Sequence, residues 1–236
     1  MSAGAQSWWS QSAAAALDLV VPQQCAGCGA PGLVWCPQCV QACTGRSLRV
    51  PAPVPCRAAC EHAGPAGRAV VAFKDDGVRR LGRPLASLLA RAAADALSDA
   101  GAPLGMPVWV VPVPSRRSAV RSRGADHTAV LAGMAARALR RAGVPANRCV
   151  GLQHVRASRD QVGLTRGQRV ANVAGSLRGL ALPPGVIVVV DDVTTTGATV
   201  AEAVRALAVT GRAVSCAAAV TWSPGPRHRA SETRSD

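Results

Sequence analysis

Residues 186–190 read Val-Ile-Val-Val-Val, an apolar run with no polar face. Such a run reads as a strand buried on both sides, the pattern of a parallel sheet. It turns abruptly acidic at Asp191 and Asp192 and passes through Val193, Thr194, Thr195, Thr196, Gly197, Ala198 and Thr199. A helical pattern then spans 199–210, with Val200, Ala203, Val204 and Leu207 on one face and Gly211 as a natural stop. The same alternation recurs upstream. Residues 68–73 predict a strand. Pro84 opens a helix carrying Leu85, Leu88, Leu89 and Ala92, a position where proline is tolerated. Residues 107–111 predict a second buried strand. Asp126 is positioned to cap a helix through Val130, Leu131, Met134, Ala138 and Leu139 that stops at Gly143. Residues 149–154 and 214–222 predict further strands, whereas 156–179 is polar, Arg-rich and without a firm period, which reads as a mobile loop or short helix. Strands alternating with helices predict an α/β domain with a mostly parallel sheet flanked by helices.

Three regions follow from this pattern. Residues 1–55 hold an N-terminal helix, a set of cysteine knuckles and a Pro-rich linker at 50–55. Residues 56–222 form the α/β domain, and 223–236 is a polar tail expected to be disordered. The length of 236 residues is ample for one such core.

Composition narrows the chemistry. The formal net charge is +14, almost all of the cations are Arg, and Lys74 is the single lysine. Guanidinium groups suit phosphorylated ligands or nucleic acid, and a genome-wide preference for Arg accounts for part of the excess. Aromatic residues are 3% of the chain, with no Tyr, which argues against a stacking platform for single-stranded nucleic acid. No segment reads as a secretory signal or a membrane span, so the chain is expected to be cytoplasmic, with no membrane partner. The stretch 27–32 formally matches Gly-x-Gly-x-x-Gly, but it follows no strand and opens no helix, so the dinucleotide reading fails; a Walker A loop is absent.

Four of the nine cysteines stand as Cys25-x2-Cys28-x7-Cys36-x2-Cys39. Two Cys-x2-Cys knuckles can complete a tetrahedral structural Zn²⁺ site, with no position left open for catalysis. Disulfides are the competing reading, disfavoured in a reducing compartment. Cys43, Cys56, Cys60 and His62 offer a weaker second metal pattern. Cys149 and Cys216 fall in strand-like contexts and read as buried apolar residues.

The acidic pair and its loop describe a sugar-phosphate site. Two carboxylates can accept hydrogen bonds from vicinal ribose hydroxyls, and loop amides at a helix N-terminus suit a phosphate. The segment resembles the phosphoribosyl-pyrophosphate motif of the type I phosphoribosyltransferases. The order of cysteine knuckle, linker, Phe-Lys, Val-Pro-Val-Pro-x-Arg-Arg, Arg-x-Arg-Gly, Gln-x-Gly-Leu-x-Arg-x-x-Arg-x-x-Asn-Val and the acidic strand is similar to the ComF family of amidophosphoribosyltransferase-like competence proteins. The likeness extends from about residue 17 to 222. Where relatives usually read Arg-Gly-Phe-Asn-Gln, residues 123–127 here read Arg-Gly-Ala-Asp-His.

The resemblance implies a type I phosphoribosyltransferase-like fold and a function as a phosphoribosyltransferase that binds phosphoribosyl pyrophosphate (PRPP) with Mg²⁺. Asp191 and Asp192 would grip the ribose hydroxyls and help place Mg²⁺. Thr194, Thr195, Thr196, Gly197, Ala198 and Thr199 would hold the 5′-phosphate. Ser115, Arg116 and Arg117 follow the second buried strand, where relatives carry a pyrophosphate loop; a solvated basic turn is the plainer reading. Residues 161–172 would form a flap bringing Arg166 or Arg169 onto the diphosphate, and an exposed basic turn is again the alternative. Lys74 is either a position that needs a compact ammonium or a chance survivor, and Trp222 either stacks an acceptor base or packs the core. Three functional classes stand: an active transferase on an unknown acceptor, a PRPP-binding protein that does not turn it over, and a DNA-binding accessory in DNA uptake, recombination or repair.

Overall fold

The computed structural model describes residues 24–103, 105–115, 120–121, 124–155 and 173–224. The expected N-terminal helix, the flap with Arg166 and Arg169, the adjacent Arg116 and Arg117, and the tail from 225 onward lie outside them.

A six-stranded sheet runs in the order β1-β2-β8-β7-β3-β4, where β1 is Leu48–Arg49, β2 Cys56–Glu61, β3 Val108–Pro112, β4 Ala146–Arg148, β7 Val186–Thr194 and β8 Cys216–Trp222. Only β1 is antiparallel, at the edge. A separate antiparallel pair joins β5 (Leu152–His154) to β6 (Leu177–Gly179). The helices are α1 (Pro37–Gln41), α2 (Gly64–Lys74), α3 (Gly82–Asp99), α4 (His127–Arg141) and α5 (Ala198–Ala208). The fold is therefore α/β, with a mostly parallel sheet flanked by helices and a cysteine cluster at the N-terminal side.

The β7 run explains the layering. Val186, Val188 and Val190 face a core shared with α3 and α4, whereas Ile187 and Val189 face a second core containing the apolar stripe of α5, Val200, Ala203, Ala206 and Leu207. All five strand residues are buried, each contributing about 1.5–3 kcal/mol of transfer free energy. On the first face, Leu85, Leu89, Ala92, Ala93 and Ala96 of α3 share a core with Ala59, Ala218 and Val220 of β2 and β8. Alanine on both sides lets helix and sheet approach closely.

Several expectations need correction. Residues 68–73 are not a strand: they belong to α2, whose buried Ala66, Ala69, Val70 and Phe73 make a helical stripe that starts before the short window read from sequence. Pro65 in the first turn supports that start. The strand of this region is β2, Cys-Arg-Ala-Ala-Cys-Glu, which has no β-branched residue. Its strand character comes from pairing with β8. Of the predicted 149–154 strand only Leu152–His154 is strand, as β5 of the small hairpin, and the main-sheet strand β4 comes before that window, at Ala146–Arg148. Residues 177–179, read as part of a loop, form the partner strand β6. Glu202 of α5 fixes that hairpin by accepting the Leu177 N–H at 3.0 Å, while Arg205 donates to the Leu177 carbonyl at 3.1 Å.

Residues 24–55 do not stand apart from the body. Cys25, Trp35, Cys36, Cys39 and Cys43 join the core that contains α3. Within the 50–55 stretch, Val50 is buried against the other core. Among the described residues, no helix is long and apolar enough to cross a membrane.

Candidate functional site

Connectivity sets the location. After β3 the chain crosses through α4 on one face to reach β4; after β7 it crosses through α5 on the opposite face to reach β8. β3 and β7 are neighbours and their crossovers leave on opposite faces, so their carboxyl ends mark a topological switch point, where ligands of open α/β sheets bind. Ser115 follows β3 on one side. Asp191, Asp192 and the 195–199 loop follow β7 on the other.

The two acids differ. Asp192 is 6% exposed, and its Oδ2 lies 2.8 Å from Nζ of Lys74, the last residue of α2. Its Oδ1 accepts the Val193 N–H at 2.7 Å. Asp191 is half-buried at the rim, with Oδ1 accepting the Asp192 N–H at 2.8 Å. Burial and the neighbouring Asp192 carboxylate push the Asp191 carboxyl well above the usual carboxylate range, against the pull of Lys74. The rim thus carries two carboxylates and one resident ammonium, which sequence spacing alone did not bring together.

The loop leads directly into the N-terminus of α5. Gly197 sits at φ 75°, a left-handed conformation, as the residue before α5. A Cβ there would also collide with the Pro51 carbonyl, so glycine is required for two reasons. The Pro-rich stretch therefore lies against the loop. Thr195 is exposed, and Thr196, Ala198 and Thr199 are half-buried. Thr196 Oγ1 accepts the Ala198 N–H at 3.4 Å, and α5 opens with no acidic residue in its first turn. Thr194 is different: it ends β7, is buried, and is paired with Trp222, so it sets the end of the strand. Trp222 is also buried, and its indole N–H donates to the Thr195 carbonyl at 2.9 Å, bracing the loop from below.

On the β3 side, the Ser115 hydroxyl and N–H both bond Asp126, at 2.8 and 3.2 Å, and Asp126 also caps α4 by accepting the Ala129 N–H at 3.1 Å. Asp126 therefore ties the end of β3 to the start of α4. His127 beside it packs edge-on against Phe73, with ring centres 5.2 Å apart.

Next to Lys74, His62 is half-buried and bonds Thr221 Oγ1 through Nδ1 at 2.9 Å. Burial and the Lys74 charge hold its imidazole below the usual histidine range, and Asp192 opposes them. Sequence reasoning grouped His62 with cysteines and missed this role; a histidine twelve residues before the only lysine gave no local signal.

The second cluster is the knuckle. The sulfur atoms of Cys25, Cys28, Cys36 and Cys39 all lie within 4.8 Å of one another, an arrangement that could hold a metal ion. For Cys25, burial pushes the thiol up, but backbone N–H groups led by Cys36 outweigh it and bring the thiol down to about 6. Cys39 is pushed upward by burial and by the neighbouring thiols. Among the described residues, Cys43, Cys56, Cys60 and His62 do not gather as a second metal set. Cys43 is lowered by a hydrogen bond from the Cys60 thiol, whereas Cys56 is pushed up to about 12, chiefly by burial. Cys216 is fully buried and Cys149 half-buried, in keeping with packing roles.

No protein-family model matches this chain, and no curated protein matches it significantly.

Proposed function

We propose that the chain is a phosphoribosyltransferase of ComF type, with a type I phosphoribosyltransferase-like fold, that binds PRPP with Mg²⁺ and transfers the phosphoribosyl group to an acceptor. The observation that carries this reading is the acidic pair and the Gly197 loop at the carboxyl end of β7, next to β3 at the topological switch point of the sheet. Asp191 and Asp192 would accept hydrogen bonds from the ribose hydroxyls. Loop amides and the N-terminus of α5 would receive the 5′-phosphate. As the C1–O bond breaks, positive charge would develop on the ribose, and Asp191 and Asp192 would stabilise it. The rim carboxylates beside an open loop fit Mg²⁺, which takes few carboxylates together with phosphate oxygens and waters. When bound it would neutralise the departing diphosphate. The four knuckle thiols fit a structural Zn²⁺, which would take all of them as thiolates.

A second reading, a protein that binds PRPP without consuming it, is favoured by Lys74, whose ammonium already occupies one oxygen of Asp192. Calorimetry with PRPP and Mg²⁺, run beside an assay for pyrophosphate release, separates the two. The double variant Asp191→Asn with Asp192→Asn should lose PRPP binding and still melt cooperatively. Equal binding by that variant would refute the assignment of the ribose to this rim.

A further inference from the structure

Two cysteines outside the knuckle meet each other. Cys43, just beyond α1 and the last knuckle cysteine, is 2% exposed and belongs to the core that contains α3. Cys60, near the end of β2, is half-buried and packs on the same core. Arg91 of α3 draws their backbones together. One of its nitrogens, Nη2, donates to the Cys43 carbonyl at 2.7 Å and to the Ala59 carbonyl at 2.9 Å, and the latter belongs to the peptide unit that leads into Cys60. Nη1 donates to the Gly45 carbonyl. The side chains complete the approach, because the Cys60 thiol hydrogen-bonds the Cys43 sulfur. Close backbones and adjoining sulfurs are what a disulfide requires.

The surroundings give the two thiols different parts. The hydrogen bond from Cys60 draws Cys43 toward the thiolate, burial opposes it, and the Arg91 charge adds to the pull. The same hydrogen bond, with burial, holds the proton on Cys60. Arg91 Nε is buried, and among the described residues it has no hydrogen-bond partner, so the guanidinium is not fully neutralised by its three carbonyls. Burial pushes Cys56 and Cys216 up to about 12, which makes them poor nucleophiles by comparison.

We propose that Cys43 and Cys60 are an oxidation site for hydroperoxides, closed as an intramolecular disulfide that clasps the exit of the knuckle to β2. The clasp is independent of the phosphoribosyl-transfer reading. With hydrogen peroxide, the Cys43 sulfur attacks one peroxide oxygen and the O–O bond breaks. Hydroxide leaves and takes up the proton shed by Cys43, which gives water and a sulfenic acid on Cys43. The Cys60 sulfur then attacks the Cys43 sulfur. The S–O bond breaks, and the hydroxyl leaves with the Cys60 proton as a second water. Two thiols are oxidised to one disulfide, and one peroxide is reduced to two waters.

The test treats the full-length protein with hydrogen peroxide, alkylates the remaining thiols and digests with trypsin without reduction. Cleavage after Arg46 and Arg57 separates the two cysteines, so the clasp appears as residues 1–46 joined to residues 58–68, with fragmentation placing the link at Cys43. Dithiothreitol should reverse it. The link should be lost in Cys43→Ser and in Cys60→Ser and kept in Cys149→Ser, with melting curves establishing that the variants fold. The crosslinked wild type should melt about 5 °C above the reduced form, because a closed loop restrains the unfolded chain. A link that survives Cys43→Ser runs from a knuckle cysteine and overturns the proposal. Peroxide-treated wild type in which Cys60 is still alkylated overturns it as well, as does a crosslinked form that melts no higher than the reduced one. The wild-type map decides the question even where a serine variant fails to fold.

Discussion

The acidic rim of β7 and the cysteine knuckle are both clusters of groups that carry negative charge when deprotonated, and they manage that charge in opposite ways. The rim contains its own cation: Lys74 reaches from α2 to within 2.8 Å of Asp192. Among the described residues, no cation is among the groups that shift Cys25 or Cys39. Cys25 is eased toward the thiolate by backbone N–H groups, whereas burial and the neighbouring thiols drive Cys39 toward the thiol. A cluster that supplies its own counter-ion can stay folded with its ligand absent. A cluster that lacks one would depend on the zinc proposed for it to keep its shape.

Stripping the zinc proposed for the four thiols should therefore have the largest effect. Structural zinc supplies on the order of 10 kcal/mol in small zinc domains, and here Trp35, Cys36 and Cys39 are part of the same core as α3. A strong chelator, or Cys39→Ser, should lower the melting temperature by more than 10 °C, and metal analysis should find one ion per chain beforehand. A melting curve indifferent to chelation would erase the contrast between the two clusters.

Lys74→Met comes next. It leaves the buried Asp192 carboxylate without its ammonium, and breaking a buried pair from one side costs about 3–5 kcal/mol. Adding Asp192→Asn should recover most of that loss, because no charge is then stranded. A double-mutant cycle in urea measures the coupling, and a coupling near zero would mean that Lys74 is dispensable to the rim.

Gly197→Ala should be the mildest of the three in stability, at about 1–3 kcal/mol for a side chain held at positive φ, and it also forces the Pro51 carbonyl aside. Its effect on ligand should be larger than its effect on folding: PRPP binding by calorimetry should fall more than tenfold. Unchanged binding would separate the loop from the phosphate.

These differences trace how much could be read from the chain. The 186–190 run, the helix after Gly197, the cap at Asp126 and the cysteine spacing are all local signals, and each of them settles in the fold where its pattern pointed. β2 was illegible because Cys-Arg-Ala-Ala-Cys-Glu lacks strand propensity and gains its conformation from β8. The 68–73 segment was misread because two adjacent valines outweighed a helical stripe that begins at Ala66. β6 is only three residues long and is held by Glu202 and Arg205 of a helix far along the chain.

The sequence by itself determined the kinds of chemistry present: a β-branched strand ending in two acids, a hydroxyl-rich glycine loop, and paired cysteine knuckles. Those depend on contacts between residues close in the chain, whose spacing fixes their geometry. Only the tertiary structure decided which groups meet across it. Lys74 neutralises Asp192, Thr221 orients His62, and Pro51 presses on Gly197, because parallel strands joined by long crossovers bring together residues more than a hundred positions apart, and no local pattern records that distance.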